Sequence, residues 1–502
     1  MGRRDFLKLT IPSDISYLGI IQGCVREAAT KYGFTGVDLR QIELVLEEAV
    51  TNVVEHAYES AESDTFDIIC EHIPGGLRII IKEKGIPFDP RRVAAYNPDA
   101  CMDERSERGM GIFLMKELMD EVEFLNLGAE GKETRLVKYL EGGKTAAEDA
   151  ELFSVQEFPG SAPAVIKEKI PYTVRLMEPD EAIEISRCAY KSHGYTFFED
   201  HIYYPEVIIE MNRNGRMISA VAVTEDNRFM GHAALLYPYP GARTAELTFI
   251  FVNEEYRGQG CMKRLCDFLY NIPKQHRLCG IYTYAVTNHV FTQRVMVGMG
   301  INDCGIQLAT SPATWKFKGI PGENLQRISV VLSFKYLEDP EPLILYAPAH
   351  HRGMIEKLYA NIHARHHFAV PETREPALVE EGSILETDIV ESEGNAGITV
   401  VRYGRDIMRE IKRTVRELCL DQMAAIELFL NLEDPATFFL VSEFEKMDFF
   451  FSGIMPREST GDCLVLQYLN NVPFDYDRVM VHTDMAGEIL AYIRAHDPNA
   501  SL

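Results

Sequence analysis

The sequence predicts an α+β protein of several domains, and three observations carry that expectation. Its 502 residues exceed what one hydrophobic core holds, and length alone suggests about three domains. Helix-period text alternates with β-rich runs, as at Leu39–Val54 and then Leu77–Ile81. The periodicity also fails in two places. Over 142–169 the chain carries a linker composition, including Phe158-Pro159-Gly160-Ser161-Ala162-Pro163, and at Leu337-Glu338-Asp339-Pro340-Glu341-Pro342 acidic residues and prolines interrupt strand-like text. The blocks so separated are 1–141, 170–336 and 341–502.

Composition narrows the class. A hydrophobic content of 46% with 10% aromatic residues supports packed interiors and excludes a disordered scaffold. A formal charge of −25 argues against coating nucleic acid, which needs clustered Lys and Arg. The ten cysteines are scattered without a C-x-x-C spacing, and no apolar signal region follows Met1, so reduced thiols and a cytoplasmic location are expected. Met1-Gly2 fails as a myristoylation signal because position six is Phe6. No run approaches the roughly eighteen apolar residues of a membrane span.

In the first block, Leu39, Ile42, Leu44, Val45, Ala49, Val53 and Val54 lay an apolar stripe along a helix. Glu48 and Asn52 are four residues apart and share one face of it. A carboxylate there can act as general base and a carboxamide oxygen as a neutral Mg²⁺ ligand, so the two can converge on one metal-bound phosphate. Alone, such a pair is more often a solvated Glu and a capping Asn on an amphipathic helix. Two later segments change the balance. The strand Leu77–Ile81 leads into Lys82-Glu83-Lys84-Gly85-Ile86-Pro87-Phe88-Asp89-Pro90, and Arg108-Gly109-Met110-Gly111 opens a helix near Ile112. A carboxylate beside a glycine can accept from an adenine amino group where the backbone approaches the ring closely, and glycines before a helix free N–H groups for phosphate.

These three segments, in this order, resemble the GHKL (Bergerat-fold) ATPases, and within them the RsbW-like anti-sigma-factor serine kinases. The resemblance implies a Bergerat-type α/β sandwich binding ATP and Mg²⁺. It implies Glu48 as general base and Asn52 as Mg²⁺ ligand. Glu83, Gly85, Arg108, Gly109, Gly111 and Thr134 would then surround the nucleotide. Glu83 stands where the family usually has Asp. The implied partner is a protein, anti-anti-sigma-like or sigma-like, and the resemblance favours a homodimer.

The second block has strand text at Tyr172–Leu176, Ser219–Val223 and Ala245–Val252. The last runs into Asn253-Glu254-Glu255-Tyr256-Arg257-Gly258-Gln259-Gly260-Cys261-Met262, ahead of a helix expected over Lys263–Tyr270. Amides of a glycine-containing turn at a helix N-terminus form a nest for pyrophosphate, although an ordinary strand-to-helix turn reads the same way. With Gly231-His232-Ala233-Ala234, the Glu246 strand and Thr287-Asn288, the order of segments resembles the GNAT N-acyltransferases over most of 172–312. That resemblance implies acetyl-CoA or another acyl-CoA held by Arg257, Gly258, Gln259, Gly260, Cys261 and Met262. Val252 would lie beside pantetheine and Asn288 near the cofactor. Glu246 is the candidate base toward an acceptor amine, set against a simple solvent-facing strand glutamate. Met296 falls where the family often has a tyrosine acid.

In the third block, Asn431 to Pro456 echoes Asn288 to Pro312, which suggests a degenerate second GNAT-like unit; no R-x-x-G-x-G turn precedes it. His350, His351, His363, His366 and His367 invite a metal reading, with His363 and His367 four apart, but surface histidines are the better expectation. The phenylalanines at 438, 439, 444, 449 and 450 read as core. The resulting expectation is a cytoplasmic ATP-binding regulator joining a serine kinase module to an acyltransferase module. The alternative is a non-catalytic interaction protein with ATP and acyl-CoA as ligands.

Overall fold

The computed structural model describes residues 6–58, 65–88, 90, 110–140, 170–195, 197, 199–272, 278–315, 324–373, 375–376 and 378–500. The segment expected as a linker, and Arg108 and Gly109, lie outside them. The described residues fall into two compact units: those up to Leu140 together with Glu178–Ile209, and those of Lys169–Met177 together with Glu210–Leu502.

In the first unit β1 (Phe6–Pro12), β2 (Thr65–Ile73), β3 (Gly76–Glu83), β4 (Glu121–Asn126) and β5 (Lys132–Tyr139) form an antiparallel sheet in the order β1-β2-β3-β5-β4. Alternation decides which face is core: Phe66, Ile68 and Cys70 of β2, and Leu77, Ile79 and Ile81 of β3, point into one cluster. Helices α1 (Leu18–Lys31) and α2 (Gly36–Asn52) supply the other layer, with Ile42, Val45, Leu46, Ala49 and Val50 of α2 buried at helical spacing. Leu44 departs from the expected stripe and is 42% exposed, since it lies a quarter-turn off the buried face. Beyond Asn52 the helix widens into a π turn over Val53–Ala57, a form enriched at functional sites. Helices α3 (Met110–Leu118) and α4 (Ala182–His193) also belong to this unit.

The second unit is built on a twelve-stranded sheet. One half runs β6 (Tyr172–Leu176), β7 (Met217–Thr224), β8 (Phe229–Leu236), β9 (Thr244–Val252), β10 (Gly280–Val286), then β12 and β11 (Ile328–Tyr336 and Asn302–Ser311). Its helices include α6 (Cys261–Asn271) and α7 (Phe291–Gly298); α5 (Pro205–Arg213) is where the chain passes from one unit to the next. After a small parallel pair, β13 (Ile344–Leu345) with β14 (His367–Phe368), the other half contains β15 (Ile384–Val390), β16 (Asn395–Arg402), β17 (Ala425–Asn431), β18 (Phe450–Glu458) and β19 (Gly461–Leu469). Its helices are α8 (Arg352–Asn361), α9 (Ile407–Leu420), α10 (Pro435–Glu445) and α11 (Asp484–His496).

The halves repeat one topology. Strands β9-β10-β12-β11 and β16-β17-β19-β18 share an order in which the first pair is parallel and the rest antiparallel. Helix α6 crosses between β9 and β10 as α9 does between β16 and β17, and α7 and α10 occupy the next crossing. The echo of Asn288–Pro312 in Asn431–Pro456 falls on α7–β11 and α10–β18. The halves meet where Gly305 of β11 pairs with Gly453 of β18. Phe444, Phe449 and Phe450 are buried in the core across this seam, as expected of them, while Phe438 and Phe439 are only partly covered.

The histidine expectation needs correction. The side chains of His351 and His366 are fully buried rather than on the surface. His363 has a positive φ of 62° and His367 lies in β14, so the four-residue spacing does not place them on one helix face.

Candidate functional site

Two sites emerge, one in each unit. In the first, α2 presents Glu48 and Asn52, both half-buried, toward the start of α3. A Cβ placed on Gly111 would lie 2.7 Å from Glu48 Oε2 and 3.4 Å from Asn52 Nδ2, so only glycine leaves this approach open. Burial, and then the neighbouring Glu47, raises the Glu48 carboxyl above the ordinary glutamate value, which strengthens it as a base.

Across the sheet, Glu83 at the end of β3 is buried and paired with Lys132 of β5 at 2.6 Å. Its other oxygen accepts the Gly85 N–H. The carboxylate expected to accept from an adenine amino group thus also holds the turn after β3. Burial pulls the Lys132 ammonium down, with Glu83 opposing.

The carbonyls from Gly85 to Phe88 in that turn are all held. Gly85 O accepts from the Tyr195 hydroxyl at 2.7 Å, Ile86 O from Lys132 Nζ at 2.5 Å, Pro87 O from Arg187 Nε at 3.0 Å, and Phe88 O from Asn126 Nδ2 at 3.3 Å. The Ile86 N–H donates to Ala57 O at 2.8 Å, and a Cβ on Gly85 would meet that oxygen at 2.1 Å. The π turn after Asn52 thus packs directly on the glycine. Thr134, half-buried, pairs with Ile81 one strand over. Lys132, Arg187 and Tyr195 were not singled out from sequence. Lys132 follows only from the register of β3 with β5, and the other two carry no motif.

In the second unit, β9 and β10 pair through Thr244–Gly280, Ala245–Ile281 and Glu246–Tyr282 and then part. Glu246, half-buried, is the last paired residue, and Val252 ends the diverging strand. Phe249 adopts a positive φ of 52° at an irregularity opposite β8, and its carbonyl takes a bond from His232 Nδ1 at 2.8 Å. After Val252 the chain turns through Arg257-Gly258-Gln259-Gly260 into α6. Gly258 and Gly260 have φ of 85° and 80°, and Cβ atoms on them would enter open space or reach only the Tyr172 hydroxyl, at 4.0 Å. The first-turn amides of Cys261 and Met262 have no intrahelical acceptor. The helix begins two residues ahead of the expected Lys263, which puts Cys261 and Met262 in its first turn.

The loop is braced from β6. The Tyr172 hydroxyl donates to Gln259 O at 3.3 Å, Gln259 Oε1 accepts the Ile170 N–H at 3.3 Å, and Arg264 stacks on the Tyr172 ring at 4.1 Å. Arg257 is exposed and pairs with Glu254 at 3.4 Å. Asn288, beyond β10, donates to Asn324 at 3.1 Å. Met296 is buried in the core, so its position offers no proton donor.

Known protein families agree with this geometry. Residues 11–138 match the histidine kinase-like ATPase domain, and residues 181–295 match the acetyltransferase (GNAT) family. In class the chain is a transferase that fuses an ATPase module of the kinase type to an acetyltransferase module. The serine-protein kinase RsbW of Bacillus subtilis is 30% identical over 142 residues, 28% of this chain and 88% of that protein. RsbW of Staphylococcus aureus is 31% identical over 126 residues, 24% of this chain and 79% of that protein. The chain belongs to the RsbW serine-protein kinase family through this N-terminal module. Among solved structures, an N-acetyltransferase from Staphylococcus aureus is similar at 12% identity and TM-score 0.27, covering 34% of this chain and 99% of that one. The spermidine/spermine N-acetyltransferase SpeG from Vibrio cholerae is similar at 16% identity and TM-score 0.26, covering 33% and 92%. Among the described residues no helix is long and apolar enough to cross a membrane.

Proposed function

We propose that the chain is a cytoplasmic regulator with two transfer activities: phosphorylation of a partner protein's serine from ATP, and acylation of an amine from acyl-CoA. The convergence of Glu48, Asn52 and Gly111 carries the first reading. A half-buried carboxylate, a neutral amide oxygen and a backbone held open by glycine suit a hard cation and phosphate together. Asn52 would hold Mg²⁺, which would supply positive charge against the phosphates. Glu48 accepts the proton of the serine hydroxyl as its oxygen forms a bond to the terminal phosphorus of ATP, the bond from that phosphorus to the bridging oxygen breaks, and ADP leaves. Gly109 and Gly111 are read as part of an ATP lid and Arg108 as a nucleotide-binding residue, on the family resemblance. Glu83 and Gly85 shape the adenine end, with Glu83 acting through the turn it holds and Thr134 on the adjoining strand.

For the second activity, the amides from Gly258 to Met262 hold pyrophosphate, and Arg257 adds charge at its rim. The parting of β9 from β10 leaves backbone groups near Val252 to pair with pantetheine, and Asn288 flanks the opening. Glu246 takes the proton from the amine, directly or through water, and its nitrogen attacks the thioester carbon. The departing thiolate takes its proton from solvent, because Met296 supplies none. Residues 341–502 are read as a degenerate GNAT-like unit without a cofactor. An anti-anti-sigma-like or sigma-like protein is the proposed partner, and a homodimer the proposed state.

Glu48→Gln tests the first reading. ATP affinity measured by calorimetry should persist while phosphoryl transfer to an anti-anti-sigma-like substrate falls by about 100-fold or more. Unchanged transfer would remove Glu48 as the base. A second reading, in which acyl-CoA is a regulatory ligand only, is favoured by the buried Met296. It stands if acetyl-CoA binds, Gly260→Glu abolishes binding, and no amine is acylated.

A further inference from the structure

Away from both sites, three helices of the second unit bring two histidines and a glutamate together. His350 and His351 immediately precede α8, and Glu445 is the last residue of α10. His351 Nε2 lies 2.7 Å from Glu445 Oε1, and His350 Nε2 lies 3.0 and 2.9 Å from Oε1 and Oε2. One ligand atom from each residue lies within 4.8 Å of the others.

Tyr492, on α11, ties the cluster together. Its hydroxyl lies 2.8 Å from His351 Nδ1 and 3.2 Å from the carbonyl oxygen of His350. With Nδ1 engaged by Tyr492, Nε2 is the His351 nitrogen turned toward Glu445. An imidazole nitrogen shares a carboxylate oxygen at this distance through a proton or through a metal ion, and here two imidazoles converge on one carboxylate, with the His351 side chain fully enclosed.

We propose that His350 Nε2, His351 Nε2 and a Glu445 oxygen bind a divalent transition-metal ion of the zinc class. Two imidazoles and a carboxylate are a donor set that zinc favours over calcium or magnesium. Zinc–ligand bonds of about 2.0–2.1 Å in a tetrahedron set ligand atoms about 3.3 Å apart, so the two histidine–glutamate separations need open by only a few tenths of an ångström. The Tyr492 hydroxyl is the outer partner that orients His351. His350 and Glu445 are partly exposed, at 39% and 24%, which leaves a fourth position for water or for His496. His496 Nδ1 donates to Tyr492 O at 2.8 Å, which leaves Nε2 as the nitrogen available to a metal, and its ring centre is 5.3 Å from that of His351. The ion would tie α8 and α10 together, with α11 braced against them.

The test is zinc titration of the metal-stripped full chain by calorimetry, with melting followed in parallel. The wild type should take up one equivalent that His350→Ala lacks, and zinc should raise the melting temperature of the wild type alone. Circular dichroism of His350→Ala checks that the partly exposed position leaves the fold intact. Tyr492→Phe keeps all three ligands and should weaken that equivalent by about 10–100-fold. Equal zinc uptake by wild type and His350→Ala, or a Tyr492→Phe chain that binds as tightly as wild type, overturns the proposal.

Discussion

Glu83 and Lys132 face each other across β3 and β5 at 2.6 Å, and the Lys132 ammonium reaches on to the carbonyl of Ile86. One ion pair thus links the strand that ends the candidate nucleotide site to the turn that bounds it. Both side chains are nearly enclosed, at 7% and 12% exposure. Solvent therefore screens the pair little, and breaking it leaves a charge where water cannot reach.

Lys132→Met should accordingly destabilise the first unit by about 3 kcal/mol, while adding Glu83→Gln should recover part of the loss by removing the orphaned charge. Urea unfolding of the two single variants and the double variant measures the coupling. Additive effects would mean that the pair does not hold the turn.

Gly111→Ala separates stability from binding. Within α3, alanine is the better helix former by about 1 kcal/mol, and the atom that its methyl group meets is the movable end of Glu48. The melting temperature should hold or rise, whereas ATP affinity should fall at least about tenfold, because Glu48 is pushed toward the phosphate position and Asn52 is crowded. Calorimetry with ATP decides this. Undiminished affinity would place the phosphates elsewhere.

How much of the fold and the sites was legible in the sequence depended on range. The i to i+4 relation of Glu48 to Asn52, the exact span of β6, and the turn from Arg257 into α6 are local patterns, and local patterns survive folding. The partners of Gly85 to Phe88 were not legible, because Lys132, Asn126, Arg187 and Tyr195 reach it only through strand register and packing between distant segments. The pairing of Glu83 was not legible either, because its lysine lies on another strand. The histidines after the second break read as surface residues, since nothing nearby in sequence announces that His351 is enclosed by Phe451 and Tyr492. That the second and third blocks share one sheet is also invisible locally, because the join pairs Gly305 with Gly453 and is braced by Gln467 on Leu308 and Ser452 on Ile306, residues far apart in sequence.

Gly453→Ala should be costly at that join. Its φ is 155°, and a Cβ there would lie 2.3 Å from Gly305 Cα and 2.6 Å from Cys304 O, both of them backbone atoms that cannot swing aside. A loss of about 2–4 kcal/mol is expected, read as a lower urea midpoint for the second unit. A midpoint within error of wild type would mean that the two halves are not held by this pairing.

The pH dependence of the second unit should turn on Glu427. It is buried in β17, accepts from Gln467 Nε2 at 2.9 Å, and burial drives its carboxyl up to about 7, with Gln467 and Arg327 opposing. A glutamate raised above its unfolded value favours the folded state while protonated. Its contribution is complete below about pH 4.5 and is lost as pH rises through 7. The buried His232 and His366, both held down to about 4 first by burial, work the other way: their contribution is present above about pH 6.5 and falls away in acid. Asp462, raised by burial, acts in the same sense as Glu427. Comparing wild type with Glu427→Gln cancels the other groups. The amide mimics the protonated acid and still accepts from Gln467, so the two chains should melt alike at pH 5. At pH 8 the variant should be the more stable by about 3 kcal/mol, the worth of a carboxyl displaced by two to three pH units. A variant no more stable than wild type at pH 8 would show that Glu427 ionises there without strain, and the seam would owe its pH response to Asp462 instead.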